Sequence, residues 1–167
     1  MDPDIKKTAL RIIPYGIYVV TAKTAAGEIA AATVNWVTQT SFEPPLVVVA
    51  VKADSGALNL IDETRHFALN FLGNGQQGLA FAFFKPADAD DGTINGEAYH
   101  DGVTGAPVLD GAPASVECRV VDIIAHGDHH LVVGEVVNAQ VRAPIEGRPD
   151  AAGLHMNELG ENVFYGG

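Results

Sequence analysis

The chain has 167 residues, of which 47% are hydrophobic and 19% are charged, a profile typical of a folded protein rather than a disordered one. Its formal net charge is −11, with only ten Lys and Arg residues, which argues against nucleic-acid binding and against an anionic membrane surface. The lone cysteine, Cys118, excludes an intrachain disulfide, and no apolar stretch approaches the roughly 20 residues of a membrane span. We expect one domain over residues 1–167 and a cytoplasmic location, because the acidic N-terminus also lacks signal-peptide features.

The first third of the chain predicts one helix followed by four strands. Apolar residues at helical spacing over 5–13 predict a short amphipathic helix that ends at Pro14. Runs rich in β-branched residues then predict strands at 17–25, 29–33, 37–42 and 46–51. The last of these is apolar on both faces, so we expect it to lie centrally in a sheet.

The remainder predicts two more short helices and three more strands. Ser55 can cap a helix from about 56 to 64, and a second short helix is predicted at 76–84. Strands are predicted at 67–72, 115–124 and 131–141. Residues 85–114 are acidic and rich in Gly, Ala and Pro, and they predict a long loop without strands. Such a loop is either functional, a dimer contact, or simply solvated.

Several familiar chemistries find little support in the residues. His126, His129 and His130 lie close together, but no cysteine joins them and no His-Glu-x-x-His pattern is present, so we expect no metal. Cys118 lies in an alternating strand, where a buried structural thiol is the simpler interpretation. The sequence contains no Gly-x-Ser-x-Gly elbow, no Walker loop and no Gly-x-Gly-x-x-Gly fingerprint.

Two polar segments remain as candidates for ligand binding. Residues 33–41 carry hydroxyl and amide groups between two apolar strands, where they could bind a flat heterocycle and a phosphate. The alternative is a Thr-rich strand edge without a ligand. Lys52 follows the apolar strand, and Ser55 and Gly56 open a helix, so a cation and free amides could bind an anion there. The alternative is a surface lysine beside an ordinary cap, and Asp54 opposes a phosphate unless it points away.

Taken together in chain order, these segments resemble the flavin reductase-like family, the FMN-binding split barrels. The resemblance covers residues from about 10 to 165 and includes flavoredoxin-type proteins and reductase components of two-component flavin monooxygenases. The motifs that carry it are Pro-Tyr-Gly-Ile-Tyr-Val-Val-Thr at 14–21, Thr-Val-Asn-Trp at 33–36, Pro-Pro-Leu-Val at 44–47, Phe-Ala-Leu-Asn-Phe-Leu at 67–72, Gly-Ala-Pro-Val-Leu at 105–109 and Gly-Asp-His at 127–129.

The resemblance implies a mainly β fold, a six-stranded antiparallel Greek-key split β-barrel with a few short helices. It also implies a homodimer with two flavins at the interface, the flavin being FMN, with FAD as the alternative. His129 would assist nicotinamide binding. The implied flavin contacts are Thr33, Val34, Asn35 and Trp36 at the ring, Thr38 and Thr40 at the ribityl chain or phosphate, Lys52, Ser55 and the neighbouring Gly56 at the phosphate, and Phe71 near the ring.

The function implied is transfer of a hydride from NADH or NADPH to the flavin, with a flavin-dependent monooxygenase or another redox protein as partner. The flavin carries the chemistry, while the protein orients the two rings and excludes competing reactions. An alternative is an FMN-carrying electron-transfer protein that a partner protein reduces. A third class is a barrel that holds another ligand, such as haem or a deazaflavin.

Overall fold

The fold was analysed in a computed structural model that describes residues 1–142 and 144–167. The seven strands and three helices that the sequence patterns predict are all present, with small differences at their ends. The helices are α1 (Pro3–Arg11), α2 (Gly56–Thr64) and α3 (Gln77–Ala82). The strands are β1 (Tyr18–Lys23), β2 (Ile29–Val34), β3 (Val37–Ser41), β4 (Leu46–Lys52), β5 (His66–Phe71), β6 (Ala89–Asp90), β7 (Thr93–Ile94), β8 (Glu97–Asp101), β9 (Pro107–Leu109), β10 (Ala114–Ile124) and β11 (His129–Val141).

The main sheet has seven strands in the order β2-β1-β5-β10-β11-β4-β3, and every neighbouring pair is antiparallel. Its two edge strands, β2 and β3, are joined by only Asn35 and Trp36. Three Cα–Cα steps span at most about 11 Å, so the edges must approach each other and the sheet must roll up. The mainly β, antiparallel fold is therefore confirmed. The expected count of six strands is corrected to seven, because the two-residue link separates β2 from β3.

The rolled sheet encloses an apolar core. Alternate residues of β1, β4, β5 and β11 point inward, and α2 adds Leu58 and Ile61, both almost fully buried. Gly134 on β11 faces the ring of Phe67, and a Cβ at position 134 would lie 2.6 Å from that ring. The absence of a side chain at this position lets the aromatic ring fill the barrel.

The prediction that residues 85–114 contain no strand is wrong. Strands β6 to β9 form a second antiparallel sheet of four short strands, the longest of which has only five residues. Asn70 of β5, completely buried, accepts a hydrogen bond from the amide of Leu109 at 2.9 Å and donates to the carbonyl of Val19 at 3.1 Å. These strands are too short for an alternating pattern to be visible, and contacts with distant parts of the chain stabilise them.

Helix α1 forms as predicted, with Asp2 as its N-cap, but none of its residues is buried. Its apolar side chains, together with those just after it, face solvent, among them Ile5 and Ile12, which are 69% and 77% exposed. No helix in residues 1–142 and 144–167 is long and apolar enough to span a membrane.

Candidate functional site

Trp36 lies at the junction of the two barrel edges, and its indole ring is surrounded by aromatic side chains. The ring centroid of His129 is 4.7 Å away in an edge-to-face arrangement, and those of Tyr165 and Tyr15 are 5.6 and 6.5 Å away. The backbone of Trp36 is fixed as well, because its carbonyl accepts a hydrogen bond from the amide of Ala50 on β4 at 2.9 Å. The link between β2 and β3 therefore presents a rigid aromatic group.

His129 begins β11 and pairs directly with Lys52 at the end of β4. Its Nδ1 lies 2.9 Å from a carboxylate oxygen of Asp128, and its Nε2 lies 2.7 Å from the hydroxyl of Tyr165. A carboxylate only accepts, so Nδ1 carries the proton, and in the neutral ring Nε2 accepts from the Tyr165 hydroxyl. The hydrogen bond from His129 lowers the pKa of Asp128, whereas burial raises the pKa of Tyr165.

Tyr165 belongs to a C-terminal segment, residues 164–167, that crosses the aromatic cluster. The side-chain amide of Asn35 donates to the Tyr165 carbonyl at 3.0 Å, and Arg11 Nε donates to the Gly166 carbonyl at 3.2 Å. The Arg11 guanidinium also stacks over the ring of Phe164 at 4.1 Å. The sequence did not predict a role for Tyr165, since its contacts with Asn35 and His129 span 130 and 36 residues of chain.

The indole nitrogen of Trp36 is the one buried side-chain nitrogen or oxygen without a hydrogen-bond partner in the described part of the chain. Gly166 passes close to it, since a Cβ at position 166 would lie 3.6 Å from Nε1. An unsatisfied buried donor costs about 1–3 kcal/mol and is uncommon in folded proteins. A ligand that displaced the segment around Gly166 and brought acceptor atoms to this donor would satisfy it, so the residues fit an acceptor-rich heterocycle.

Lys52 supplies a positive charge beside this cluster. Its ammonium group lies 3.1 Å from a carboxylate oxygen of Asp54, and this hydrogen bond raises the pKa of Lys52 and lowers that of Asp54. Both side chains are more than half exposed, so the ion pair is readily broken or shared with a ligand. The Asp54 carboxylate therefore does not point away from Lys52, so the argument from the sequence that Asp54 opposes a phosphate still applies.

Ser55 and Gly56 form the start of α2 as predicted. The Ser55 hydroxyl donates to the carbonyl of Lys52 at 2.7 Å and accepts from the amide of Leu58 at 3.2 Å, so it serves as the helix N-cap. The cap leaves the amides of Gly56 and Ala57 without an intrahelical acceptor. Apart from its chain neighbours and the backbone of its own helix, no described atom lies within 4 Å of the point where a Cβ of Gly56 would sit, so the surface at this residue is open.

The side chains of Thr33 and Val34 are engaged by the fold. The Thr33 hydroxyl donates to the carbonyl of Ala80 in α3 at 2.6 Å, and its amide donates to the carbonyl of Phe83 at 3.2 Å. Val34 is buried in the barrel core. Their part in ligand binding stays a prediction, while their observed contacts hold α3 and the core in place.

Thr38 and Thr40 are exposed on β3, and a register shift in the β3–β4 pairing falls between Gln39 and Ser41. Phe71 lies in a different place from His129. Its ring meets Tyr18 edge-on at 5.5 Å, in an apolar opening of about 330 Å³ that Thr38 also lines. The structure thus groups Asn35, Trp36, Lys52 and His129, with the Ser55 helix start following Lys52, and leaves Phe71 with Thr38.

Cys118 and clusters of metal-ligating side chains would be needed for nucleophilic or metal chemistry. Cys118 is completely buried, and burial raises the pKa of its thiol to about 12. Within residues 1–142 and 144–167, no three His, Cys, Asp or Glu side chains converge as metal ligands would.

The fold and the candidate site together define a rolled antiparallel β-barrel with a cluster of aromatic residues and one lysine where its edges meet. The chain belongs to the flavin reductase like domain family, which its sequence matches over residues 10–158. The resemblance seen in its motifs is thereby confirmed.

Relatives of known name agree with this assignment. An NADH:FMN oxidoreductase of Rhodococcus erythropolis is 33% identical over 152 residues, which cover 91% of this chain and 77% of the relative. A flavin reductase of Pseudomonas putida is 29% identical, with 86% and 82% covered. The chain spans only 57% and 42% of two Rhizobium meliloti relatives, the reductase subunit Stc3 of stachydrine N-demethylase and a probable flavin reductase.

Solved structures show the same architecture. The flavin reductase PheA2 in its native state superposes with a TM-score of 0.72 at 26% identity, with 84% of this chain and 88% of that chain covered. BorF, the flavin reductase component of a bacterial two-component tryptophan halogenase, gives a TM-score of 0.70 at 27% identity, with the same shares covered.

Proposed function

We propose that this chain is a flavin reductase that transfers a hydride from NADH or NADPH to FMN. The observation that carries the proposal is the grouping of Trp36, His129 and Lys52 at the meeting edges of the barrel, with an indole donor that has no protein partner. Relatives named as NADH:FMN oxidoreductase and FMN reductase (NADH) support the choice of substrates.

The residues present fit FMN, and each would have a distinct part in holding it. Lys52 and the amides of Gly56 and Ala57 would bind the phosphate, because a cation and a helix N-terminus both favour an anion. Trp36 would lie beside the isoalloxazine ring. When bound, FMN supplies the ring that accepts the hydride.

The nicotinamide nucleotide would bind on the His129 side of Trp36. The protein positions the two rings and keeps water out, and hydride transfer itself requires no general acid or base. His129 is 13% exposed and is held at both ring nitrogens, so it is well suited to orient a neighbouring group.

Absorbance spectroscopy tests the proposal directly. FMN added to the purified protein is expected to bind with a shifted visible spectrum, and NADH or NADPH in an anaerobic stopped-flow instrument is expected to bleach it. Bound FMN that neither nucleotide bleaches would identify an electron carrier instead. A colourless protein that does not bind added FMN would contradict both interpretations and would indicate another ligand.

We also propose that the protein is a cytoplasmic homodimer that supplies reduced flavin to a separate oxygenase. Exposed apolar side chains on α1 and on the outer face of the barrel, including Ile12, Val137 and Val141, support a protein contact. BorF is named as the flavin reductase component of a two-component tryptophan halogenase and Stc3 as the reductase subunit of stachydrine N-demethylase, which supports a separate enzyme as partner. Analytical ultracentrifugation that gives a monomer mass at micromolar concentration would contradict the dimer.

A further inference from the structure

Tyr165 is the accessible end of a chain of hydrogen bonds that begins at Asp128 and passes through His129. We infer that the Tyr165 hydroxyl makes the polar contact with the nicotinamide carboxamide and that His129 is a positioning residue which holds Tyr165 in place. This inference rests on the proposed function and names the group that would meet the nucleotide.

Exposure of the two side chains separates their roles. The side chain of His129 is only 13% exposed, whereas Tyr165 is 48% exposed. The His129 ring is edge-on to that of Trp36, with centroids 4.7 Å apart, and its Nε2 is occupied by the phenol. A nucleotide that approaches from solvent therefore meets the tyrosine more readily than the imidazole.

Hydrogen-bonding capacity leads to the same assignment. Asp128 fixes the proton on Nδ1, and the lone pair of Nε2 is used by the Tyr165 hydroxyl. A neutral His129 therefore has no free donor or acceptor to offer a ligand. The Tyr165 oxygen, having donated its proton, keeps its lone pairs and can accept a hydrogen bond. Its natural partner is an N–H donor, and the carboxamide of nicotinamide provides two.

The surroundings of Tyr165 hold it beside the proposed flavin position. Asn35 donates to its carbonyl at 3.0 Å, and its ring centroid lies 5.6 Å from that of Trp36. Lys52 pairs with His129 in the β4–β11 register, and His129 is bonded to the phenol, so the tyrosine lies near the proposed phosphate site. The proposed contact between Tyr165 and the nicotinamide therefore lies next to the link between β2 and β3, which includes Trp36.

A double-mutant cycle tests the assignment in the FMN-loaded protein. The variants are Tyr165→Phe, His129→Gln and the double variant, with Tyr99→Phe in the small sheet as a matched control. The readouts are the Kd for NAD⁺, measured by quenching of the single tryptophan, Trp36, and the KM and kcat for the nucleotide that bleaches the flavin.

We expect Tyr165→Phe to raise the Kd and KM by about fivefold to tenfold, the usual effect of one hydrogen bond, with kcat unchanged. His129→Gln is expected to give an equal or smaller increase. The double variant is expected to match Tyr165→Phe, because a positioning residue has no further effect once the group it positions is gone. Tyr99→Phe is expected to change neither constant.

Three outcomes would overturn the inference. A larger effect of His129→Gln, equal to that of the double variant, would make His129 the direct contact. Effects that multiply would make the two residues independent, and a lower Kd in Tyr165→Phe would show that the hydroxyl obstructs the nucleotide. Failure of NADH and NADPH to bleach the wild-type flavin would instead contradict the proposed function, so the two failures are distinguishable.

Discussion

Two hydrogen-bonded networks in this molecule are each built on a carboxylate, and they differ in what surrounds them. In one, Glu117 of β10 is 1% exposed and accepts from the Thr104 amide and hydroxyl at 2.8 and 2.7 Å and from Asn138 at 2.8 Å. In the other, the Asp128 side chain is 94% exposed and holds His129, which in turn holds Tyr165.

The comparison shows how a structural network differs from one that can serve a ligand. Around Glu117 both carboxylate oxygens have protein partners, and a Cβ on Gly102 would collide with the side chain, so the hydrogen-bonding capacity is used within the fold. Around His129 the network ends on a half-exposed phenol, beside an indole donor that has no partner. Unused hydrogen-bonding capacity next to an accessible end is therefore the feature that makes the His129 network the candidate functional one.

The largest expected effect of a substitution falls on the structural network. Glu117→Ala leaves the Thr104 amide and Asn138 without their acceptor, so we expect the free energy of unfolding to fall by about 3 kcal/mol. Urea denaturation measures this loss. Glu135→Ala, which removes only the partly exposed pair with Arg119, is the control and is expected to cost about 1 kcal/mol or less. Equal losses in the two variants would contradict the structural assignment.

The sequence predicts the structural parts of the comparison better than the functional ones. Strands such as β4 and β10 could be predicted because their burial leaves a pattern in adjacent residues. The polar segment that includes Trp36, and Lys52, were candidates from residue chemistry before the family resemblance added His129, and the structure places the three together. Tyr165 could not be identified in this way, because its proposed role depends on a contact with His129, which is 36 residues away in the sequence. Tyr165 itself also lies in an irregular segment. The hydrogen bond from the Thr33 hydroxyl to the Ala80 carbonyl could not be predicted either, because the two residues are far apart in the sequence.

The second prediction concerns the aromatic member of the functional network. Trp36→Ala removes the surface proposed to lie beside the isoalloxazine, and we expect the Kd for FMN to rise by about 30-fold, since aromatic stacking and buried area are both lost. Phe84→Ala, at an aromatic residue that is 58% exposed, is the control. Isothermal titration gives both values. A variant that binds FMN normally but has lost its dimer would assign Trp36 to the interface instead.

The third prediction concerns the charge next to that ring. Lys52→Met is expected to raise the Kd for FMN about tenfold, a change of about 1.4 kcal/mol, because one phosphate contact is lost. Asp54→Asn is expected to act in the opposite direction and strengthen binding severalfold, because it frees Lys52 from its ion pair. Lys23→Met, which breaks the Lys23–Asp101 pair elsewhere, is the control. Equal affinities in all three variants would exclude a phosphate site at Lys52.

The smallest effect is expected in the acid range, where the two carboxylates should again behave differently. Burial alone would raise the pKa of Glu117, but hydrogen bonds from Asn138 and Thr104 outweigh it and lower the pKa. Its contribution to stability is therefore complete above the unfolded-state pKa of about 4.3 and is lost as the pH falls through the lower folded-state value.

Urea denaturation as a function of pH checks this expectation. Below about pH 4.3, the unfolding free energy should fall less steeply with decreasing pH in Glu117→Gln than in the wild type. The two slopes should differ by at most about 1.4 kcal/mol per pH unit, the value for one proton. Asp128→Asn should leave the slope close to the wild-type value, because its carboxylate is in solvent, where the stabilising effect of an ion pair is small. A matching change in both variants would mean that the Asp128 network also stabilises the fold, and the distinction between the two networks would fail.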